Sequence, residues 1–571
     1  MLRVESVVEH RFPGLRARKP LITKPLITLL RLLLREKDFQ QFHKDYPHLE
    51  GFDFVDQILN YFDFTFCLRV NERERVPPSG RVVIIANHPL GTLDGLALLK
   101  LIGEVRRDVK VIANDVLLNI KPFAPLLLPV DNMRDGSIRS NIKAIIGFLE
   151  QEEGALLIFP AGEVSRICPN GVRDTQWDPG FLRFASRCKA PVLPIHVNGR
   201  NSVFFYSLSM LCKPLSTLLL VREMFKQAES SVQIRIGGMV DYQNYARIDL
   251  PIKKKAKLFR RHLYRIGKGK TPILNTESAI AHPESRQLLR GEMRQCRLLG
   301  ATRDNKEIVL TDYRPNSSTV REIGRLRELT FRSVGEGTGK RRDVDIYDHY
   351  YDHLVLWDDE DLEIAGAYRL VDAGRLAHER GVDQLYTRSL FRFGPPMQAI
   401  IDQGVELGRS FVQPRYWGKR GLDYLWCGVG AYLRANPHVR YLFGPVSISN
   451  RYPERAKSML VHFYSSYFGG ASGFATARCP YGPDPDQQQE VERIFSGEDY
   501  QKDFSELKSR LTAMGFPVPT LYKQYSELCE PGGVRFLAFN VDPDFSNCID
   551  GLVVVDITML KPSKRKRYIG A

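Results

Sequence analysis

Apolar residues in the first half of the chain form short runs separated by longer segments with helical periodicity. The runs have the length and the branched apolar composition of buried strands, and they lie at 82–86, 110–113, 126–130, 155–159, 191–197 and 232–236. Strands that alternate with helical segments are typical of an α/β sheet. The pattern therefore predicts an α/β domain over residues 81–240, preceded by helices in residues 1–80.

The second half of the chain mixes helices and strands in a different order. The expected elements are a charged helix and three strands, at 320–331, 353–357, 362–370 and 552–556. A polar, irregular segment separates the two halves. We therefore expect a first α/β domain over 1–270, a linker over 271–300 and a second α/β domain over 301–571.

Composition narrows the class of protein. At 571 residues the chain is too long for one core, and its 43% hydrophobic and 26% charged residues are those of a folded protein. The formal net charge of +16 predicts an anionic partner, and nucleic acid, an anionic membrane and an acidic protein all satisfy that requirement. The nine cysteines include no Cys-x-x-Cys pair, so the sequence predicts neither a metal site nor a disulfide framework.

Three segments bear on a membrane partner. No window reaches about 18 uninterrupted apolar residues, so no transmembrane helix is predicted, but 25–34 and 201–221 suit either a membrane interface or a core. Residues 252–270 predict a helix with an apolar stripe, and nine Lys or Arg lie between 251 and 270. Such helices bind anionic membranes, nucleic acid or their own domain. Because no nucleic-acid module accompanies it, we expect the membrane and no nucleic acid.

A candidate catalytic pair lies in the segment Ala86–Gly95, ANHPLGTLDG, between the first strand and an apolar helix. Pro89 and Gly91 favour a turn, which can bring Asp94 beneath the imidazole of His88. A histidine oriented by a carboxylate is suited to take a proton from a hydroxyl or an amine. The alternative is a structural turn whose polar side chains only satisfy backbone groups.

The segment resembles the Asn-His-x-x-x-x-Asp block of the glycerolipid acyltransferases, the lysophosphatidic acid acyltransferase superfamily. With five residues between His88 and Asp94, it is closer to the hemolysin-like, lyso-ornithine-lipid acyltransferase branch, where Asn-His-Pro-x-Gly-x-x-Asp-Gly is usual. The loop Phe159–Arg166 resembles the family's Phe-Pro-Glu-Gly-Thr block, with Ala161 in place of the Glu. The resemblance implies His88 as base and Asp94 as its orienting partner. It also implies substrate-binding roles for Asn87, Gly91, Phe159, Pro160, Gly162, Glu163, Arg166 and Arg134.

A second candidate site follows the strand predicted at 404–412. The loop after it carries Arg415, Gly418 and Gly421 and leads into the helix predicted at 422–433. A loop rich in Gly and Arg at a helix N-terminus suits the phosphate of a pyrophosphate or phosphopantetheine donor. We therefore assign these three residues to donor binding.

This half of the chain resembles the N-acetyltransferase (GNAT) fold, in the ornithine N-acyltransferase branch related to autoinducer synthases. The matching pieces are Asp345-x-x-Asp348, Gly366–Leu370, Glu406–Val412 and Tyr441–Ser449. The resemblance implies that Glu406 accepts the amine proton and that Arg409 orients the site. The alternative for Glu406 and Arg409, three residues apart, is a structural ion pair.

Taken together, the two halves resemble the bifunctional ornithine lipid synthases of bacteria. The resemblance implies that the second domain N-acylates ornithine with a 3-hydroxyacyl group and that the first O-acylates the resulting lyso-lipid. It implies an acyl-ACP thioester on phosphopantetheine as donor substrate, no bound cofactor, and a peripheral position on the cytoplasmic face of the inner membrane. The expected partners are acyl carrier protein, an anionic membrane surface, the lyso-lipid and the amino acid. A single-activity lysophospholipid acyltransferase and a non-enzymatic, hemolysin-like membrane-active protein are alternatives.

Overall fold

The computed structural model describes residues 27–570, apart from positions 29, 33, 70, 114–119, 130–134, 152, 170, 212, 471 and 472. The chain divides into two units, Met1–Ala279 and Ile280–Ala571. The first unit contains nine described strands, which we number β1 Thr65–Cys67, β2 Arg81–Ala86, β3 Val109–Ala113, β4 Leu127–Pro129, β5 Gly154–Ile158, β6 Arg166–Cys168, β7 Gly171–Arg173, β8 Val192–Asn198 and β9 Ser231–Ile236. Its helices are α1 Glu36–Asp45, α2 Gly51–Tyr61, α3 Leu93–Gly103, α4 Asp135–Glu150, α5 Gly180–Arg187, α6 Val203–Leu211, α7 Lys213–Lys226, α8 Tyr242–Ala246 and α9 Ile252–Gly267, with 3-10 turns at Arg73–Arg75 and Lys121–Leu126.

Seven of these strands form one sheet in the order β1-β9-β8-β2-β5-β3-β4. Strand β2 lies near the centre and pairs in parallel with β5 on one side and β8 on the other. Its residues Val82–Ala86 are completely buried, which explains their unbroken apolar sequence. Because parallel strands end at the same edge of a sheet, the loops that follow β2 and β5 meet there.

Helix α9 differs from its predicted role at a membrane. Its apolar residues Phe259 and Leu263 are completely buried in the core of the first unit. The Phe259 ring packs edge-on against Phe181 and Tyr245, at 5.7 and 5.9 Å between ring centroids. The stripe therefore covers the sheet and is not available to lipid, since periodicity identifies a buried face but not what buries it.

The two other segments considered for a membrane interface have mixed environments. Helix α6 exposes Val203 and Phe204 but buries Phe205 and Tyr206, and the segment 25–34 lies partly outside the described residues. Within the described part of the chain, no helix is both long and apolar enough to cross a membrane.

Among the described residues of the second unit there are ten strands, β10 Arg297–Ala301, β11 Glu307–Thr311, β12 Asp352–Asp358, β13 Glu363–Asp372, β14 Phe391–Phe393, β15 Gly404–Val412, β16 Tyr441–Ile448, β17 Ala475–Ala477, β18 Val534–Asp542 and β19 Cys548–Asp556. Its helices are α10 Arg286–Met293, α11 Ser318–Ser333, α12 Ala373–Arg380, α13 Thr387–Leu390, α14 Gln398–Asp402, α15 Gly421–Ala435, α16 Glu454–Phe468, α17 Pro485–Ile494, α18 Tyr500–Ala513, α19 Thr520–Ser526 and α20 Pro562–Tyr568. Short 3-10 turns lie at Ile346–His349, Val382–Gln384, Pro395–Met397, Pro414–Tyr416, Pro543–Phe545 and Ile557–Met559.

Eight of these strands form a sheet in the order β10-β11-β12-β13-β15-β16-β19-β18. All neighbours are antiparallel except β15 and β16, which pair in parallel over Gly404–Glu406 only. An added Cβ at Gly444 would lie 1.9 Å from the Leu407 carbonyl oxygen, so glycine allows the two strands to touch there. Beyond that point β15 continues along β13 while β16 continues along β19, and a split opens in the sheet.

The segment expected to be an irregular linker is partly structured. Residues 286–301 form α10 and the edge strand β10, and Leu289 and Met293 are buried in a core of the second unit. The helix is short and carries three charged residues among eight, which hides its two buried positions from a periodicity search.

Candidate active sites

His88 and Asp94 face each other across the turn that joins β2 to α3. The His88 Nδ1 and Asp94 Oδ2 atoms are 3.1 Å apart. The carboxylate also accepts the backbone amides of Leu90 and Gly95, at 2.9 and 3.0 Å. The Asp94 side chain is fully buried, whereas 19% of the His88 side chain is exposed. The turn thus holds the carboxylate rigidly and leaves one side of the imidazole open.

The contact couples the two pKa values. Burial by itself would lower the pKa of His88, but the charge and hydrogen bond of Asp94, together with the charge of Asp174, raise that pKa above its usual value. Burial by itself would raise the pKa of Asp94, but the charge of His88 and the amides of Leu90 and Gly91 lower it overall. Asp94 is therefore ionised at neutral pH and keeps a proton on Nδ1, so Nε2 is the nitrogen that can accept one.

His88 borders a cavity of about 650 Å³. Its imidazole stacks on the Phe159 ring, with 4.2 Å between centroids and 29° between planes. The walls are mainly apolar side chains from α3, α4, β3 and β5, namely Leu96, Leu99, Val111, Ile112, Ile142, Ile145, Ile146 and Ile158. Cavities of about 300–1,000 Å³ with apolar walls and a few polar groups are typical small-molecule sites. This one has room for an acyl chain next to the His88 imidazole.

Four of the predicted binding residues line this cavity: Gly91, Phe159, Pro160 and Gly162. Gly91 has a φ of +90°, and an added Cβ would lie 2.6 Å from Val164. The turn between His88 and Asp94 therefore requires glycine for both its conformation and its packing.

The remaining predicted binding residues of this unit do not line the cavity. The Asn87 amide donates to the Val197 carbonyl and accepts its N–H, both at 2.7 Å, so Asn87 clamps the end of β2 to β8. Glu163 accepts the Arg166 guanidinium at 3.1 Å. These contacts give Asn87, Glu163 and Arg166 partners within the protein, and the binding roles expected of them stay predictions. Arg134 lies outside the described residues.

The structure adds a residue that the sequence analysis missed, Asp174. Its Oδ1 accepts the His88 backbone N–H at 3.3 Å and the Ser165 hydroxyl at 2.6 Å, and its Oδ2 accepts the Trp177 indole N–H at 2.8 Å. The carboxylate is fully buried. Asp174 therefore ties the loop after β5 to the loop that carries His88. The one feature of the sequence that could have indicated a buried Asp174 is Trp177, three residues later, and that feature is weak evidence.

In the second unit, Glu406 is buried and fully engaged. One oxygen accepts the Tyr351 hydroxyl and the Tyr386 amide, and the other accepts the Thr387 amide at 2.6 Å. Only 1% of Glu406 is exposed, and burial raises its pKa although these donors oppose the shift. The carboxylate fixes the segment that leads into α13, and in this arrangement no side of it is open to a substrate.

Arg409 lies at a bulge in β15, with a left-handed φ of 48° that costs about 1–3 kcal/mol for a residue other than glycine. Its guanidinium is 3.0 Å from the Asp343 carboxylate and donates to the Tyr386 hydroxyl at 3.0 Å. The nearest oxygen of Asp345 is 3.8 Å away. The alternative of a Glu406–Arg409 ion pair is wrong for the described contacts, because Arg409 pairs with Asp343 and Asp345.

The predicted donor-binding loop lies between β15 and α15. Gly418 has a φ of +73° and Gly421 begins the helix. Arg415 is paired with Asp361 at 2.7 Å and with Glu363, and its expected role in binding phosphate stays a prediction. The exposed Arg420 sits at the N-cap position of the helix and lies closer to the place where a phosphate would bind.

No group of three or more His, Cys, Asp or Glu side chains in the described residues is arranged to hold a metal ion. The eight described cysteines are all free thiols.

Two family models match the chain. Residues 7–267 match the model described as acyltransferase, and residues 326–427 match the model described as acetyltransferase (GNAT) domain. The mixed α/β architecture of both units agrees with these matches, and acyl transfer is the activity they have in common.

Three curated proteins are similar to parts of the chain. The glycine N(alpha)-acyltransferase of Bacteroides thetaiotaomicron is 30% identical to this chain, over 51% of the chain and 89% of the relative's own length. The lyso-glycine lipid O-acyltransferase of the same organism is 29% identical over 40% of the chain and 86% of its own length. The L-ornithine N(alpha)-acyltransferase of Brucella abortus is 31% identical over 22% of the chain and 49% of its own length.

Proposed function

Since the chain belongs to the family of acyltransferases that includes the glycine N(alpha)-acyltransferase of Bacteroides thetaiotaomicron, we propose that it makes a diacylated aminolipid in two steps. The second unit N-acylates an amino acid with a 3-hydroxyacyl group, and the first unit O-acylates the hydroxyl of that lyso-lipid. The observation that carries the proposal is the oriented His88 beside an apolar cavity of about 650 Å³. The matches of the two halves to different acyltransferase models support the division of labour.

In the O-acylation step, Nε2 of His88 takes the proton of the lyso-lipid hydroxyl. The oxygen attacks the carbonyl carbon of the acyl thioester, the C–O bond forms, and the C–S bond breaks as the tetrahedral intermediate collapses. The leaving thiolate receives the proton from the imidazolium. Asp94 keeps Nδ1 protonated throughout and stabilises the imidazolium while it exists.

In the N-acylation step, the split between β15 and β16 supports binding of the donor. Beyond Leu407 each strand has an edge that does not pair with the other, and its backbone groups can bind the amides of an extended pantetheine arm. Glu406 is predicted from the resemblance to accept the amine proton. Its three donors and its burial favour a positioning role instead, in which it holds Tyr351 and the Tyr386 amide.

The donor that we propose is a phosphopantetheine thioester on acyl carrier protein, because a chain of net charge +16 suits an acidic carrier. Ornithine is the proposed acceptor. Glycine is a second candidate, since the chain covers 89% of the glycine N(alpha)-acyltransferase but 49% of the L-ornithine N(alpha)-acyltransferase.

We also propose that the first unit binds an anionic membrane surface from the cytoplasmic side. Support comes from the exposed Val203 and Phe204 on α6 and from the exposed cations on α9, Lys253, Lys254, Lys257 and Arg261. Co-sedimentation with vesicles of anionic phospholipid should fall when Val203 and Phe204 are both changed to Ser. Unchanged sedimentation would contradict this surface.

The test of the proposed function is lipid mass spectrometry on a bacterial host that lacks aminolipids and supplies 3-hydroxyacyl donors. The intact chain should produce diacylated aminolipid, and His88→Ala should produce only the monoacyl form. His43→Ala, a change of an exposed histidine on α1, is the matched control and should behave as the intact chain. The mass of the head group decides between ornithine and glycine. No aminolipid from the intact, well-expressed chain would contradict the proposal.

A further inference from the structure

Helix α5 carries two arginines, Arg183 and Arg187, whose side chains line the cavity that His88 borders. They are four residues apart and therefore lie on the same face of the helix. Neither guanidinium forms an ion pair with any residue in the described part of the chain, although both are in reach of the cavity. Both side chains are exposed, and two like charges at this spacing repel each other, so an anion bound between them would relieve that repulsion.

The other polar groups on the cavity wall do not neutralise this pair. Asp178 also lines the cavity and carries a negative charge, but in the described part of the chain it forms no ion pair with either arginine, and its Oδ1 accepts the Gly180 amide at 2.7 Å. Asn141 on α4 is uncharged. The cavity therefore has mainly apolar walls, one oriented imidazole, one aspartate and a pair of arginines without an ion-pair partner among the described residues.

We propose that Arg183 and Arg187 bind the carboxylate of the lyso-lipid acceptor. The inference rests on the proposed function: N-acylation removes the charge of the α-amine and leaves the amino acid carboxylate on the lyso-lipid. Guanidinium groups form paired hydrogen bonds with a carboxylate, so the two arginines select a carboxylate head group while the hydroxyl of the acyl chain reaches His88.

The pair replaces the arginine that the family motif would have assigned to the acceptor. Arg166 belongs to the loop after β5, but it is paired with Glu163 and does not line the cavity. An acceptor without a phosphate would need a different anion site, and α5 supplies one on the same cavity.

The phosphate of a phosphopantetheine donor is the other anion with suitable chemistry, and kinetics separate the two. O-acylation is measured with N-(3-hydroxypalmitoyl)glycine and with its primary carboxamide, at saturating acyl thioester. Changing both arginines to Gln should raise the KM for the carboxylate acceptor by about tenfold or more. The KM for the carboxamide should be high and should be the same in wild type and in this variant. The KM for the donor should not change.

Two further variants control this measurement. Arg247→Gln removes an equal charge from an exposed arginine that is outside the cavity and contacts Gln243, and it should leave every KM unchanged. Changing both arginines to Lys keeps the charge and should restore part of the affinity. A rise in the donor KM with both acceptors, or the same loss on carboxylate and carboxamide, would overturn the assignment.

A binding readout keeps the inference separate from the proposed reaction. A palmitoyl probe with a diazirine in its chain is crosslinked to the full chain, and its attachment to α3 and α4 is mapped by mass spectrometry. N-palmitoylglycine, which has no hydroxyl to acylate, should compete about tenfold better than N-palmitoylglycinamide in wild type and equally in the Gln variant. Equal competition in wild type would refute the carboxylate site even if O-acylation occurs. Unequal competition without turnover would instead refute the O-acylation.

Discussion

His88, just after a central strand of the first unit, and Glu406, within a central strand of the second, are both held by buried hydrogen bonds, but only His88 has an open side. One nitrogen of His88 is bound to Asp94 and the other is free to meet a substrate in the cavity. Both oxygens of Glu406 are occupied by three donors. A general base must lie within reach of the proton it removes, so the open side of His88 suits catalysis, whereas the burial of Glu406 suits support.

The causes of the pKa shifts of His88 and Glu406 separate the two groups in the same way. The pKa of His88 is raised by a neighbouring negative charge, which makes the imidazole a stronger base. The pKa of Glu406 is raised by burial, which favours the neutral acid and opposes ionisation. A raised pKa therefore signals a poised base in one unit and a desolvated structural group in the other.

The largest effect expected is that of His88→Ala on O-acyl transfer. Removing a positioned general base costs about 10²–10⁴-fold in kcat, and the apolar cavity offers no described replacement near it. N-acyl transfer by the same chain should be unchanged. Both rates are measured on the purified full chain with separate acceptors, and His43→Ala is the control. An equal loss of both activities would show that His88 supports the fold rather than one reaction.

Glu406→Ala should act on stability as well as activity. It leaves the Tyr351 hydroxyl and the Thr387 amide without an acceptor, while the Tyr386 amide keeps the Tyr351 oxygen at 2.9 Å, and each buried unsatisfied group costs about 1–3 kcal/mol. We expect the free energy of unfolding to fall by roughly 2–5 kcal/mol and N-acyl transfer to fall with it. Chemical denaturation of the full chain measures the first, with the exposed Glu379→Ala as control.

Glu406→Gln sharpens the comparison. It preserves one acceptor oxygen and the side-chain volume, so a positioning role predicts that stability and N-acyl transfer are lost in proportion. A Gln variant that is as stable as wild type and yet has no N-acyl transfer would identify the carboxylate charge as catalytic, and the contrast drawn between the two sites would fail.

Asp94→Asn should produce a smaller loss of O-acyl transfer and a shift in its pH dependence. Hydrogen-bond partners that orient a histidine are typically worth about 10–100-fold, as measured for metal-bound histidines. Removing the carboxylate removes the main cause that raises the pKa of His88, so that pKa falls. Because the base must be neutral to act, the acidic limb of kcat/KM against pH should move to lower pH. A limb that stays in place would mean that another group is titrating.

The strands could be predicted because each is encoded by a short, continuous run of apolar residues. Runs such as Val82–Ala86 are apolar since both faces of the sheet are covered, and a run of that kind is visible in the sequence. The turn from His88 to Asp94 was predictable for the same reason, since Pro89 and Gly91 lie within it.

Contacts between distant segments could not be read in this way. Asp174 reaches His88 from 86 positions away, by way of a two-stranded hairpin too short to show a period. Arg166 belongs to a motif but its partner Glu163 compensates it, whereas Arg183 belongs to no motif and lines the cavity. Motif spacing indicates which loop lies at a site, whereas the orientation of a helix determines which of its side chains line that site.

The smallest expected effect, that of Tyr351→Phe, tests the comparison most directly because it mirrors Asp94→Asn. It removes one of the three donors to Glu406, at a cost of about 0.5–1.5 kcal/mol in stability. That hydrogen bond lowers the pKa of Glu406, so its loss raises the pKa further. If ionised Glu406 is the base, the acidic limb of N-acyl transfer should move to higher pH, opposite to the shift in Asp94→Asn. Our assignment predicts no movement. Tyr350→Phe is the matched control, since the neighbouring hydroxyl donates to the Gln384 carbonyl and does not contact Glu406.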